Sequence, residues 1–375
     1  MKSLFMKNSF YELTPYISPE WASVLSLIPS SRVRLSQLPT PIHSFNPSDV
    51  LSNGVQCLIK RDDLTSFELS GNKVRKLEFL MADAKQRGHD CIVTIGGIQS
   101  NHARATAVSA RQLGLDPHLI LWATDTENDP GIVGNLLFDR MVGANMYLTT
   151  GVYDQEGQHK LVDQIVGELR AQGRNPYAIP VGGSSAVGTW GYLEATREIS
   201  QQLTEMSLKV DHIVFACGSG GTALGLALGI RLAELPIKVH AMAICDSAEY
   251  FYRHLEDMSR EIGLDYDKYG PVTSWMDIHM AKGLGYARST AEELQFIVDV
   301  SRRTGLVFDP VYSGKALYYF NKLVESDPSI VKTGETVMFI HTGGTLGLYD
   351  KSEQLLPLLT GTTPDVQKMK ITTRP

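Results

Sequence analysis

The chain has 375 residues, 43% of them hydrophobic, and a formal net charge of −6. That length can build a large core or two domains, and the acidic balance excludes nucleic-acid binding as the main activity. No apolar run is long enough to cross a bilayer, and the opening MKSLFMKNSFYEL has neither the apolar stretch of a secretory signal nor the arginine content of a transit peptide.

Residues 1 to about 35 read as a polar lead-in, with a helix around Pro19 to Leu27. VQCLIKRDD (55–63) reads as a strand that ends in charge. ELSGNKVRKLEFL (68–80) is a glycine turn entering a helix, because Val74, Leu77, Leu80, Met81 and Ala84 recur at helical spacing. HDCIVTIGG (89–97) is a buried strand ending in glycines, and SNHARATAVSARQLG (100–114) is the helix behind it. HLILWAT (118–124) is a strand, GNLLFDRMVG (134–143) a helix and NMYLTTG (145–151) a strand. KLVDQIVGELRAQG (160–173) is a helix, YAIPVGG (177–183) a strand with a glycine exit, and LEATREISQQLTEM (193–206) a long helix. DHIVFACGSGG (211–221) is a strand leading into the helix TALGLALGIRLAEL (222–235). KVHAMAIC (238–245) and ETVMFIHTGG (335–344) are the last strands. Such alternation predicts an α/β protein, with parallel sheets covered on both faces and right-handed crossovers. There is no repeat, low-complexity segment or linker, so two domains would have to be interleaved. Cys57, Cys91, Cys217 and Cys245 lie far apart without a CxxC pair, and three sit in apolar strand-like runs. They read as reduced, buried thiols of a cytoplasmic protein.

Four strands exit into glycine: IGGIQSNH (95–102), PVGGSS (180–185), ACGSGGTALG (216–225) and HTGGTLG (341–347). Ligands of open α/β sheets sit beyond the carboxyl ends of strands, where glycine lets backbone N–H groups approach an anion. GSGGT (218–222) is the best phosphate cradle of the four. None is followed by the GK[ST] of a Walker A loop, and GSGGTALG puts Ala223 where a dinucleotide fingerprint has its third glycine. A nucleotide- or phosphate-binding protein without lysine chemistry therefore stays as the runner-up. The helix at 73 opens on Lys73, Arg75 and Lys76, although a helix N-terminus prefers acidic residues. Three cations there imply an anion among them. The positive helix end and Lys76 should lower the pKa of Lys73, and a neutral lysine amine condenses with aldehydes. The bland alternative is a solvated lysine on a helix face. A phosphate cradle plus a nucleophilic lysine points to pyridoxal 5'-phosphate (PLP) and a small-molecule amino-acid substrate.

KRDDLTSFELSGNKVRKLEFL (60–80) followed by TIGGIQSNHARATAVSARQLGL (94–115) resembles the 1-aminocyclopropane-1-carboxylate (ACC) deaminase and D-cysteine desulfhydrase family, within the tryptophan synthase β-like PLP enzymes. The resemblance runs from about Arg34 to about Leu348. It implies two parallel-sheet domains of PLP fold type II, with a smaller domain (76–184) inserted in a larger one (1–75 plus 185–375), and a homodimer. It implies that Lys73 is the Schiff-base lysine, and that Lys76 with Gly218, Ser219, Gly220, Gly221 and Thr222 holds the phosphate. The three cations would then neutralise that phosphate and a substrate carboxylate. It implies that Gln99, Ser100 and Asn101 hold the substrate carboxylate, with Asn101 also facing the cofactor's phenolic oxygen. Ser and Asn are equally good helix N-caps, and both roles are compatible. Tyr286 in GLGYA and Tyr312 in DPVYSGK match two tyrosines near the substrate.

The family's two branches differ around the pyridine ring. The deaminase pattern reads VYEGK and HLGG. Here those places hold Ser313 in VYSGK and Thr342 in HTGG, the desulfhydrase pattern. A carboxylate beside the ring nitrogen keeps it protonated and strengthens the electron sink that cyclopropane opening needs. Hydroxyls there suit β-elimination, in which the electrons leave with sulfur. The resemblance thus implies conversion of D-cysteine to pyruvate, hydrogen sulfide and ammonia. ACC deamination, or elimination from another β-substituted amino acid, is the alternative.

Overall fold

The computed structural model describes residues 11–45, 55–150 and 155–360. The first ten residues of the lead-in fall outside that range. Each run that reads as a strand in the sequence becomes one, and a helix packs behind nearly every one. In chain order these are β1 (Leu13–Pro15), β2 (Ser31–Val33), β3 (Ile42–Ser44), β4 (Gln56–Lys60), α1 (Lys73–Gln86), β5 (Cys91–Gly97), α2 (Asn101–Gln112), β6 (Asp116–Trp122), α3 (Asn135–Met141) and β7 (Asn145–Thr149). Then come α4 (Gln155–Ala171), β8 (Pro176–Ile179), α5 (Ala186–Glu205), β9 (His212–Cys217), α6 (Gly221–Leu232), β10 (Lys238–Ala243), α7 (Ala248–Glu261), the single turn α8 (Tyr266–Tyr269), β11 (Asp277–Met280), α9 (Ala291–Thr304), α10 (Ser313–Ser326), β12 (Thr336–Ile340) and α11 (Ser352–Leu359).

Two parallel sheets result. One runs β7-β6-β5-β8, wholly parallel. The other runs β11-β10-β9-β12-β4-β3, parallel except where β3 meets β4. Strands drawn from 91–179 build the four-stranded sheet, so its chain segment interrupts the six-stranded sheet between β4 and β9. The expectation of interleaved parallel sheets holds. A separate antiparallel pair, β1 with β2, lies in the lead-in.

The lead-in helix expected around Pro19 to Leu27 is instead one 3-10 turn, Glu20–Ala22. Tertiary bonds hold the rest open: Leu27 donates its N–H to the Ile262 carbonyl and accepts at its own carbonyl from Trp190 Nε1 at 2.9 Å. Helices α7, α9 and α10 were not anticipated. Helix α9 had a readable start, because Thr290 and Glu293 form a capping box.

Helices α1, α5 and α6 stack closely where glycine meets backbone. A side-chain carbon at Gly191 would press on the Arg75 backbone of α1, and one at Gly225 would overlap Tyr192 of α5. An ion cluster locks this stack to the end of β4. Arg75, 1% exposed, donates to Asp62 at 2.8 and 2.9 Å and to Glu198 at 2.9 and 3.0 Å. Lys60 Nζ lies 2.5 Å from Glu198, and Tyr192 donates its hydroxyl proton to Asp62 at 2.6 Å. Burial alone would make the Arg75 guanidinium easier to deprotonate, but Asp62 and Glu198 hold its pKa well above the usual range. Arg75 is therefore committed to carboxylates and does not join Lys73 and Lys76 in neutralising a ligand.

Replacing one partner of a buried pair strands the other charge. Asp62→Ala is expected to cost about 3–5 kcal/mol in urea unfolding. Lys160→Ala, which removes an exposed pair with Glu156, should cost about 0–1 kcal/mol. Equal costs would remove the cluster's structural role.

Candidate active site

Helix α1 delivers Lys73 from its first position. Its N-cap, Asn72, makes no capping bond; the Asn72 amide nitrogen donates instead to Thr222 Oγ1 at 3.0 Å, and its backbone N–H to the Thr342 carbonyl at 3.0 Å. The lysine turn is thereby tied to the glycine exits of both β9 and β12. Lys73 and Lys76 lie three residues apart, hence on one helix face. Both point Nζ at the Gly182 carbonyl, at 3.4 and 3.1 Å, and Lys76 also reaches Ser184 Oγ at 3.4 Å. Among the described residues no carboxylate pairs with either. Lys76 is 1% exposed, whereas Lys73 keeps part of its surface open.

Burial lowers the Lys73 amine to about 8 and the Lys76 amine well below the lysine range, the latter also by repulsion from Lys73. The fall expected at Lys73 from the helix end and Lys76 is present, but desolvation causes it, with Cys217 and Cys245 opposing. At pH 7 roughly a tenth of Lys73 is then neutral, against fewer than one in a thousand for an ordinary lysine.

Opposite the lysines, α6 begins at Gly221 behind Gly220, an N-cap at φ 90° with no side-chain cap. Ser184 Oγ accepts from Gly221 N at 3.0 Å and bonds Ser219 Oγ at 2.9 Å. Gly182, at φ 67°, closes the cradle: a side-chain carbon there would overlap Ser219 Oγ and approach Lys73 Nζ to 3.0 Å. A side-chain carbon at Gly221 would lie 2.9 Å from Lys76 Nζ. The structure therefore brings together Lys73, Lys76 and the Gly218–Thr222 turn. Gly182 and Ser184 belong to the same cluster and went unassigned, although PVGGSS was visible as a glycine exit.

The Gln99–Asn101 turn, at the start of α2, forms another wall. Ser100 caps α2, accepting from Ala103 N at 3.1 Å. Gln99 is used locally: its side chain donates to the Val133 carbonyl and accepts from Asn135 N, each at 3.0 Å. Asn101 Oδ1 accepts from Asn135 Nδ2 at 3.2 Å. The next residue, His102, is buried and its imidazole is held well below its usual pKa by that burial and then by Lys73 and Lys76. Arg104, one turn on, donates to the carbonyls of Glu68 and Ser70 ahead of the lysine turn.

Ser313 and Thr342 meet, their hydroxyls 3.0 Å apart, with Thr342 N donating to Ser313 Oγ at 3.2 Å. The Tyr286 and Tyr312 hydroxyls are 2.6 Å apart, and the Tyr312 ring stands against Gly218. Burial pushes Tyr286 up to about 12 and Tyr312 well above its usual value. Asp309, not singled out from the sequence, shapes this corner by accepting the N–H groups of Val311, Tyr312 and Ser313 at 2.7–2.9 Å. An aspartate a few residues ahead of VYSGK, where α10 begins, was the readable signal. Burial raises its carboxyl to about 6.

A partly exposed lysine with a lowered pKa, a second, buried lysine without a counter-charge and a cradle that side-chain carbons would fill fit a phosphate-bearing aldehyde. Fold and site thus define an α/β enzyme of PLP fold type II. The protein-family model for pyridoxal-phosphate dependent enzymes matches residues 33–343. A bifunctional D-cysteine desulfhydrase/1-aminocyclopropane-1-carboxylate deaminase, named as mitochondrial, from Arabidopsis thaliana is 48% identical over 93% of this chain and 87% of its own. A D-cysteine desulfhydrase from Serratia proteamaculans is 34% identical over 83% and 92%. The crystal structure of an ACC deaminase homologue superposes with a TM-score of 0.77 at 34% identity, covering 92% of this chain and 100% of that one. The chain belongs to the ACC deaminase and D-cysteine desulfhydrase family of pyridoxal-phosphate dependent enzymes, and it is a PLP-dependent lyase. This sets aside the nucleotide-binding alternative. No helix among the described residues is long and apolar enough to cross a membrane.

Only the neutral amine reacts, so PLP uptake by apoenzyme should quicken as pH rises through about 8 and then level off. Stopped-flow absorbance from pH 6 to 10 checks this. A rate still climbing tenfold per pH unit near pH 10 would place the lysine in an ordinary environment.

Proposed function

We propose that this lyase releases hydrogen sulfide from D-cysteine, leaving pyruvate and ammonia. One observation supports it most: the Ser313–Thr342 hydroxyl pair at the place where the deaminase pattern has an acid. The names of the Arabidopsis and Serratia relatives point the same way and supply the D-enantiomer. The Arabidopsis name also covers ACC deamination, which is the second reading.

Bound PLP supplies an aldehyde that condenses with amines and an electron-withdrawing ring that makes a Cα proton acidic. The chain's residues divide the remaining tasks. Lys73 Nζ would hold the cofactor's aldehyde and, as a free amine, would take the Cα proton; an amine near 8 is suited to accepting a proton at neutral pH. Lys76 Nζ and the N–H groups of Gly218, Ser219, Gly220, Gly221 and Thr222 would bind the phosphate, the Gly221 N–H on leaving Ser184, where the start of α6 adds its partial positive charge. Asn101 would face the phenolic oxygen, and Gln99 with Ser100 would receive the substrate carboxylate. Ser313 and Thr342 offer the ring nitrogen neutral hydroxyls. Tyr286 and Tyr312 both stay protonated at neutral pH, so one hydroxyl can donate to the departing sulfur while the other supports it. The same reading includes a homodimer in the cytoplasm and a division into 1–75 plus 185–375 and 76–184.

Sulfide and pyruvate assays on D-cysteine, L-cysteine and ACC test the proposal. D-Cysteine should yield both products in equal amounts, with L-cysteine and ACC at least about tenfold slower. Ser313→Glu combined with Thr342→Leu should lower D-cysteine turnover by about tenfold or more while cofactor absorbance persists. ACC turned over faster than D-cysteine, or undiminished sulfide release by the double variant, would overturn it.

A further inference from the structure

Far from the glycine exits, near the amino-terminal ends of the large sheet's strands, three imidazoles form one chain. His212 of β9 bonds His240 of β10 (Nδ1 to Nε2, 2.9 Å), and His240 bonds His279 of β11 (Nδ1 to Nε2, 3.0 Å). At the other end His212 Nε2 lies 2.9 Å from Glu335 Oε2. The register puts Asp277 directly beside His240, with His279 two residues on, so all three project from one face of adjacent strands. The ligand atoms of His240, Asp277 and His279 all lie within 4.8 Å of one another.

The direction of the protons follows from Glu335. Its carboxylate also accepts from Lys332 N at 2.7 Å, and the bond with His212 leads the causes that hold it below its usual pKa. An ionised carboxylate only accepts, so His212 donates from Nε2, and as a neutral imidazole it offers a lone pair at Nδ1. His240 must then donate from Nε2, which leaves a lone pair on its Nδ1, aimed at His279. Glu335 therefore fixes, two imidazoles away, the tautomer in which His240 can bind a metal. A carboxylate–histidine relay behind a ligand is how proteins orient imidazole toward zinc.

We propose that His240 Nδ1, His279 Nε2 and the Asp277 carboxylate form a binding site for a divalent transition metal of the zinc class. Two imidazoles and a carboxylate suit zinc rather than magnesium or calcium. Zinc bonds of about 2.0–2.2 Å put tetrahedral ligand atoms roughly 3.4 Å apart, so closing the site needs only small side-chain movements. The proton on His279 Nε2 is replaced by one on its Nδ1, exchanged through solvent, as the metal takes its place. His240 is buried, His279 half-buried and Asp277 exposed, which gives the ion an inner anchor and an open side with room for water. The ligands join β10 to the edge strand β11, a pairing only four residues long, so the ion acts as a staple and takes no part in the lyase reaction.

The test uses tag-free, chelator-treated holoenzyme titrated with cobalt(II) and zinc(II) chloride. Wild type should take up one cobalt per chain with a ligand-field band to the red of the cofactor's absorbance. Zinc in excess should displace it and raise the thermal midpoint by about 2–4 °C. His279→Gln should abolish the band, and Asp277→Asn should weaken binding about tenfold or more, both with cofactor absorbance unchanged. No stoichiometric uptake by wild type, or uptake unaltered in His279→Gln, overturns the proposal.

Discussion

The first turn of α1 buries charge that the protein itself does not fully balance. Arg75, Lys76 and the amine of Lys73 all leave bulk water within four residues. Removing a cation from water costs several kcal/mol unless something compensates. Arg75 is compensated by Asp62 and Glu198. Lys73 and Lys76 face carbonyls and hydroxyls, and burial lowers both amines. A neutral amine suits an aldehyde, and an anion arriving beside the pair would return charge to its neighbour, which is what a phosphate-bearing aldehyde brings.

The parallel sheets make this possible by geometry. Strands β9 and β12 of the larger sheet end at Gly218 and at the Thr342 turn, and Asn72 is bonded to both, so the lysine turn is fixed against two strand ends at once. The smaller sheet sends in the Gln99–Asn101 turn after β5 and the Gly182–Ser184 turn after β8. The buried cluster of Lys60, Asp62, Arg75 and Glu198 holds α1 from behind. Its stability therefore serves the site without touching it.

Much of this was legible in the sequence for a physical reason. Strands buried on both faces give unbroken apolar runs, and glycine marks where backbone must approach a ligand. GSGGT follows from those two rules; Lys73 and Lys76 drew notice as cations at a helix start, and their roles came from the family resemblance. Arg75 was misread because net charge says nothing about direction. Spacing does: at 100° per residue, Lys76 lies about 60° from Lys73 while Arg75 lies about 160° away, on the far side of the helix. The helix expected at Pro19 to Leu27 failed because bonds to Ile262 and Trp190, distant in sequence, outweigh local propensity. The Tyr286–Tyr312 and Ser313–Thr342 pairs were placed by the family resemblance and by no local pattern. Nothing local pairs two hydroxyls 26 or 29 residues apart.

The claim that Lys73 supplies the amine and Lys76 the charge is tested most directly by borohydride reduction of the holoenzyme followed by peptide mass mapping. The added mass of the reduced cofactor is expected on the peptide position of Lys73 alone, and in Lys76→Gln it should remain there although more cofactor is needed to saturate the protein. Mass found on Lys76, or labelling undiminished in Lys73→Ala, would contradict the account.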